Sequence, residues 1–405
     1  MAQRRTRAGV PSAAQPRPVT DTRQPSDAEL VERVTAALGT VIDPELRRPL
    51  PELGMVGEVT ARDGAVTVEI RLTIVGCPAA TTIERAVTSA VEGVVGEGNA
   101  VIQVGVMTPE QRTALTERLR GATRRMPFGP GSLTRVIAVT SGKGGVGKST
   151  VTANLAAALA SDGLNVGLVD ADVHGFSIPG LLGLVDASGR ATPPTRVGDM
   201  IVPPRAHGVA VISIGMFLED PAAAVAWRGP MLHRTIEQFL GDVHFGDLDV
   251  LLIDLPPGTG DVAISLGQLL PNAEVVVVTT PQHAASDVAV RSGTVARQSG
   301  QTVVGVVETM SPVVLADGST LELFGSGGGA RVAERLSSAS PGTEPVALLG
   351  SVPLSSVLRE GGDTGSPVVL GAPADPAARA LRAIAERLSR RGRGLSGRSL
   401  GLSPR

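Results

Sequence analysis

From Arg135 onward, apolar residues come in short unbroken runs: VIAVT, VGLVD, VAVIS, VLLID, VVVVTT, VVGVV and ALLGSV. Strands covered on both faces have this pattern. Here the runs alternate with helical segments, which predicts an α/β fold with a doubly wound, mostly parallel sheet. The N-terminal part is patterned differently. Ser26 or Asp27 caps a helix with apolar positions Leu30, Val34, Ala37 and Leu38. After the loop DPELRRPLPELGM, two strand-like runs, Val56–Ala61 and Val66–Ile74, flank the turn signal Arg62-Asp63-Gly64. A helix is expected over 79–95 and a strand over Ala100–Val106. This is a smaller α/β unit of roughly 80 residues.

Between the two units, Thr108–Arg125 is charged and helical in pattern, and MPFGPGSL breaks regular structure. The expected organisation is a tail over 1–25, a small domain over 26–108, a linker over 109–133, a large domain over 134–389 and a tail over 390–405. Both tails are rich in Arg with Pro, Gly or Ser and lack periodicity, so disorder is expected, with a transit peptide the alternative for the first.

Composition narrows the chemistry. Hydrophobic residues are 42% of the 405, enough for a sizeable core, whereas aromatics are 2% and Tyr is absent, which argues against a base-stacking surface. With a net charge of −2 there is no global field toward nucleic acid or anionic membrane, so neither is expected as a partner. No apolar stretch is long enough to span a bilayer. A single cysteine, Cys77, excludes an intrachain disulfide and suits a reducing compartment, with the cytoplasm expected.

The sharpest motif is SGKGGVGKST at 141–150, lying between the strand VIAVT and a helix. It has the P-loop spacing, with Gly142, Gly144, Gly145 and Gly147 letting backbone N–H groups turn inward around phosphate. The cofactor-binding set is therefore Gly142, Lys143, Gly144, Gly145, Val146, Gly147, Lys148, Ser149 and Thr150, for ATP. Lys148 is expected to reach the β- and γ-phosphates and Ser149 to hold Mg²⁺. Lys143 and Lys148 are the only lysines in the chain, every other strong base being Arg. A compact ammonium on a thin stem suits phosphate inside a closed loop better than a planar fork.

Carboxylates follow the strands at the expected edge. Asp170 and Asp172 end VGLVDAD, and Asp254 ends VLLID, the position at which a carboxylate holds Mg²⁺ through water. Asp170 is assigned to the metal shell, with a loop-capping role as its alternative. In PPGTGD, the Gly258 backbone is placed to sense the γ-phosphate, and Asp261 either caps the next helix or contacts the nucleotide.

The second lysine, Lys143, makes the loop resemble the deviant Walker A ATPases, the group of nitrogenase iron protein, MinD and ParA. That resemblance implies a nucleotide-dependent homodimer in which Lys143 crosses to the partner's phosphates and Asp172 orients the attacking water. Further segments, DADVHGFSIPGLLG, WRGPM at 227–231, LIDLPPGTGD, LFGSGGGA at 323–330 and the stretch 348–369, are similar to the Mrp branch of iron–sulfur cluster carriers over residues 135–385. Phe176 stands where that branch has Pro. DPE at 43–45, ELGMV at 52–56 and LTIVGCP at 72–78 resemble the MIP18-like domain of iron–sulfur assembly. By that likeness Cys77 is a candidate cluster ligand, with its thiolate stabilised near a helix start; a small buried hydrophobe is the other possibility.

The resemblance implies an ATP-hydrolysing carrier that binds iron–sulfur clusters and passes them to apo-protein clients with assembly factors. It also fails in places. The branch's CxxC is missing from ETMSPVVLADGSTLELFGSGGG, and Thr309 stands where relatives have an adenine-reading Asn. An ATP-switched adaptor without a cluster and a ParA- or MinD-like positioning ATPase are the alternatives. The five histidines show no ligand spacing.

Overall fold

Ser26 opens the first helix with a reciprocal cap. Its hydroxyl accepts from the Glu29 N–H at 3.3 Å, while the Glu29 carboxylate accepts from the Ser26 N–H at 2.7 Å. The computed structural model describes residues 26–74, 76–120, 127–129, 131–173, 175–218, 229–315, 317–339 and 344–391. Both expected tails (apart from Arg390 and Arg391), His174 and the first half of WRGPM lie outside them.

The small unit contains α1 (Asp27–Leu38), β1 (Val56–Arg62), β2 (Ala65–Leu72), α2 (Ala80–Val95), β3 (Ala100–Val106) and α3 (Pro109–Arg120). β1 and β2 pair antiparallel across Asp63 and Gly64, both at positive φ (52° and 81°), the geometry that follows the right-handed strand twist. β3 returns through α2 to lie parallel to β2. Along β2, Val66, Val68, Ile70 and Leu72 point inward against Val34 and Leu38 of α1 and Ile83, Val87 and Val91 of α2, all in one core.

Two features of this core depart from the pattern along the chain. α3, which falls in the expected linker, buries Leu115 in it (1% exposed). It also takes Val197, Met200 and Val202 from a hairpin, β6 (Thr195–Val197) and β7 (Met200–Val202), far along the chain. A unit this short buries a low fraction of its surface by itself, so borrowed apolar side chains matter to it. Polar contacts reinforce the junction: Arg47 donates to Asn165 Oδ1 at 2.8 Å, and Thr116 Oγ1 donates to the Val197 carbonyl at 3.2 Å.

Glu45 also belongs to this junction, accepting from Thr195 Oγ1 at 3.4 Å. Burial, with the negative charge of Asp43 adding to it, pushes its carboxyl from the ordinary 4.5 up to about 7. A carboxyl that holds its proton more tightly when folded gives a stabilisation fully present below pH 4.5 and lost as pH rises through about 7. Glu45→Gln is therefore expected to flatten the stability profile between those values and to gain at most about 3 kcal/mol at pH 8. Urea unfolding at pH 5 and pH 8 checks this; parallel shifts in wild type and variant would rule it out.

The large domain runs through β4 (Arg135–Ser141), α4 (Lys148–Ser161), β5 (Val166–Asp170), α5 (Ile178–Leu181), β6, β7, β8 (Arg205–Ala206), β9 (Val209–Ser213), α6 (Gly229–Gly241) and β10 (Val250–Asp254). It continues with α7 (Asp261–Leu269), β11 (Glu274–Thr279), α8 (His283–Gln298), β12 (Thr302–Ser311), β13 (Val313–Val314), β14 (Thr320–Leu321), α9 (Gly328–Ser338), β15 (Ala347–Pro353), α10 (Ser356–Asp363), α11 (Val368–Gly371) and α12 (Pro376–Arg390). The sheet order is β15-β12-β11-β4-β10-β5-β9-β8, parallel except at β8. From β4 through α4 to β5 the chain steps one way; from β10 through α7, α8 and α9 to β15 it steps the other. With right-handed crossovers, opposite steps put the helices on opposite faces. In agreement, α4 packs with α11 and α12, while α6, α7, α8 and α9 pack in sequence with one another. The reversal lies beside β4, so the C-terminal ends of β4, β5 and β10 frame the crevice where such sheets bind ligands.

Candidate functional site

β4 ends at Ser141, and the loop 142–147 climbs from it into α4. Gly145 and Gly147 sit at φ 75° and 76°, left-handed values that a side chain resists. Gly142 is required for a different reason. A Cβ there would lie 2.3 Å from the Val288 carbonyl carbon and 2.4 Å from the Ala289 nitrogen, so the loop rests directly on the backbone of α8. Val146 is buried beneath the loop, while Lys143, Gly144 and Gly145 are exposed above it.

Under the loop, Asp254 gathers three donors. Its Oδ2 accepts from Lys148 Nζ at 2.5 Å and from Ser149 Oγ at 2.6 Å; its Oδ1 accepts from Thr152 Oγ1 at 2.7 Å. Lys148 and Asp254 are 6% and 0% exposed, so this is a buried ion pair with its remaining lone pairs satisfied, the condition under which such a pair is tolerated. Thr152 was not singled out by motif. Its signal was its position one helical turn after Lys148, on the same face.

Asp170 lies behind Asp254, fully buried. Its carboxylate accepts from Ser213 Oγ at 3.0 Å, from the Asp172 N–H at 3.2 Å and from the Ile178 N–H at 3.3 Å. Burial first, then the charge of Asp254, pushes its pKa well above the usual carboxylate range. These bonds let Asp170 organise the loop after β5. Asp172, also buried, accepts from the Gly175 N–H at 3.0 Å. Lys143 reaches outward to Gln282 Oε1 at 3.0 Å, at the start of α8.

Several other singled-out residues have partners within the protein. The Gly258 N–H donates to the Ser141 carbonyl at 2.7 Å, tying the β10 loop to β4. Asp261 is the first residue of α7, directly after the cap residue Gly260, and places its acid in the first turn. Thr309, placed at a base-reading position, turns its hydroxyl to the Val146 carbonyl at 2.6 Å and the Thr279 carbonyl at 3.1 Å and so braces the phosphate loop. Cys77 is buried in the small core at 6% exposure. Burial raises its thiol, the nearby charges of Glu45 and Asp43 add to the rise, and the Ala79 N–H opposes them, so the helix start does not yield a stabilised thiolate.

The structure brings Lys148, Ser149, Asp254 and Asp170 together at one edge of the sheet. It does not bring Cys77 to them. The small unit touches the opposite edge, at Asn165 before β5 and at the β6–β7 hairpin, which bridges to Val243 ahead of β10. Among the described residues no group of three or more His, Cys, Asp or Glu could hold a metal ion. Where the CxxC of the Mrp branch is missing, β13 and β14 form a short hairpin with Val314, Leu315, Leu321 and Leu323 exposed. Among the described residues no helix is long and apolar enough to cross a membrane.

Two family profiles match. One, ParA, described as NUBPL iron-transfer P-loop NTPase, covers residues 132–389; the other, described as iron-sulfur cluster assembly protein, covers 31–104. The iron-sulfur cluster carrier protein of Mycobacterium tuberculosis is 56% identical over 382 residues, 93% of this chain and 98% of the relative. The protein of the same name from Synechocystis is 40% identical over 360 residues, 88% and 96% of the two chains. Among solved structures, the nucleotide-binding protein of Archaeoglobus fulgidus in complex with ADP is 35% identical, covering 57% of this chain and 86% of that one at a TM-score of 0.46.

Proposed function

The chain belongs to the family of NUBPL-type iron-transfer P-loop NTPases, and on that premise we propose that it is an ATP-hydrolysing iron–sulfur cluster carrier working as a homodimer. The observation that carries the nucleotide part is the buried set in which Asp254 collects Lys148, Ser149 and Thr152 directly beneath the glycine loop.

In this reading the N–H groups of 142–150 cradle the phosphates and Lys148 neutralises the β- and γ-phosphates. Ser149 and Asp254 offer hydroxyl and carboxylate oxygens, the hard donors Mg²⁺ prefers. Bound there, Mg²⁺ would offset charge on the phosphates. Asp170 keeps the loop after β5 in place, and Asp172 orients the attacking water. Lys143, exposed at the rim, crosses to the nucleotide of the partner subunit. Lys143→Ala is expected to abolish ATP-induced dimerisation and to lower turnover with it, while single-subunit nucleotide binding falls only severalfold. Light scattering with and without ATP reads the dimer, and an unchanged ATP-induced dimer would remove this role.

The cargo is harder to accommodate. Clusters are normally held by four thiolates, and each subunit has one cysteine, which is buried. Carrier function in this chain therefore draws ligands from outside it, from a thiol cofactor or a client protein. The scarcity of cysteine is also the observation that favours a second reading, an ATP-switched adaptor that recruits assembly factors without holding a cluster. Anaerobic reconstitution with iron, sulfide and glutathione, followed by transfer to an apo-ferredoxin, separates the two. Glutathione-dependent loading of both wild type and Cys77→Ser is expected. ATP hydrolysis without loading in either protein would overturn the carrier reading in favour of the adaptor.

A further inference from the structure

The small unit and the large domain enclose a cavity of about 580 Å³ at the N-terminal ends of β5 and β10, at the opposite edge of the sheet from the phosphate loop. Arg47 and Arg48 line it from the small unit; Asn165, Arg205 and His244 line it from the large domain, with Phe128 between. Arg205 Nε is buried without a hydrogen-bond partner. Among the described residues the terminal nitrogens of Arg205 reach only the Phe245 carbonyl at 3.3 Å and the Gly208 carbonyl at 3.4 Å, long contacts for a guanidinium. The charge that acts on it is another cation, Arg47; burial first, then Arg47, lowers Arg205 to about 10. Glu45, Asp242 and Asp247 also line the cavity, yet no ion pair among the described residues includes Arg47, Arg48 or Arg205.

A desolvated guanidinium with an unused donor and a like-charged neighbour is costly on its own. An oxyanion removes both costs, because its oxygens accept from the planar fork and its charge offsets the pair. We propose that this cavity binds a small oxyanion, a phosphate- or carboxylate-bearing metabolite, clamped by Arg205 of the large domain and Arg47 of the small unit. Its volume lies in the range of small-molecule sites. Because the two arginines come from different units, the ligand fastens one to the other, and its binding favours the docked arrangement.

Calorimetric titration of inorganic phosphate and, separately, citrate into wild type, Arg205→Gln and Arg47→Gln tests this. All three proteins keep the phosphate loop, so binding there cancels in the comparison. Loss of one charge-assisted bond predicts a dissociation constant about tenfold weaker in each variant. Arg47 is exposed, so its variant stays informative even if Arg205→Gln folds poorly. Tighter binding of phosphate than citrate assigns the phosphate class, and the reverse the carboxylate class. Equal affinity in all three proteins, or no binding of either anion by wild type, overturns the proposal.

Discussion

Lys148→Met is expected to lower ATP turnover by about a thousandfold, the scale on which removing a pre-placed transition-state donor acts. The ammonium is paired at 2.5 Å with a carboxylate that is 0% exposed, so the substitution also strands Asp254. Breaking a buried pair costs about 3–5 kcal/mol, and the surviving bonds from Ser149 and Thr152 hold the loss to the lower end. Lys148→Arg is expected to fail as well, because a planar fork does not fit the channel that a thin stem fills. Steady-state ATPase assays and urea titrations read the two effects separately. Turnover within tenfold of wild type in Lys148→Met would remove the residue from the phosphate site.

Gly142→Ala should produce the largest structural loss in the loop. The new methyl would sit 2.3–2.4 Å from backbone atoms of Val288 and Ala289, which cannot swing aside as a side-chain tip can. Overpacking of this kind costs about 3 kcal/mol, and the loop must lift off α8 to relieve it, so fluorescent-nucleotide binding should be lost together with stability. Gly145→Ala is the control. It meets nothing within 4 Å, and at φ 75° it pays only left-handed strain of about 1–2 kcal/mol. Equal stability losses in the two variants would show that contact with α8 does not set the requirement at Gly142.

What could be foreseen from the residues follows from how local each signal is. The apolar runs from VIAVT to ALLGSV fixed a parallel sheet between helices, since continuous burial leaves its mark residue by residue. The strand order did not show, because crossovers are decided by packing between segments. The phosphate loop was visible whole because its ten residues are contiguous. Asp254 was visible only as a strand-end carboxylate; its grip on Thr152 joins positions 102 residues apart. The hairpin that completes the small core was hidden for two reasons: its strands are three residues each, and they belong by chain position to the other domain. For Cys77, closeness to a helix start is a local signal, whereas the burial that raises its thiol comes from distant side chains.

The placement of the small unit constrains how two copies of this protein can share a cargo. β5 is five residues long, about 16 Å at strand rise, with Arg47 holding the residue before it and Asp170 closing its far end. In the proposed dimer, joined at its phosphate-loop rims, the two small units would lie at the outer ends. Two β5 lengths back to back, about 32 Å, would then separate the residues that Arg47 grips in the two subunits. Nucleotide turnover at the centre would then reach each small unit only as movement carried along the strands.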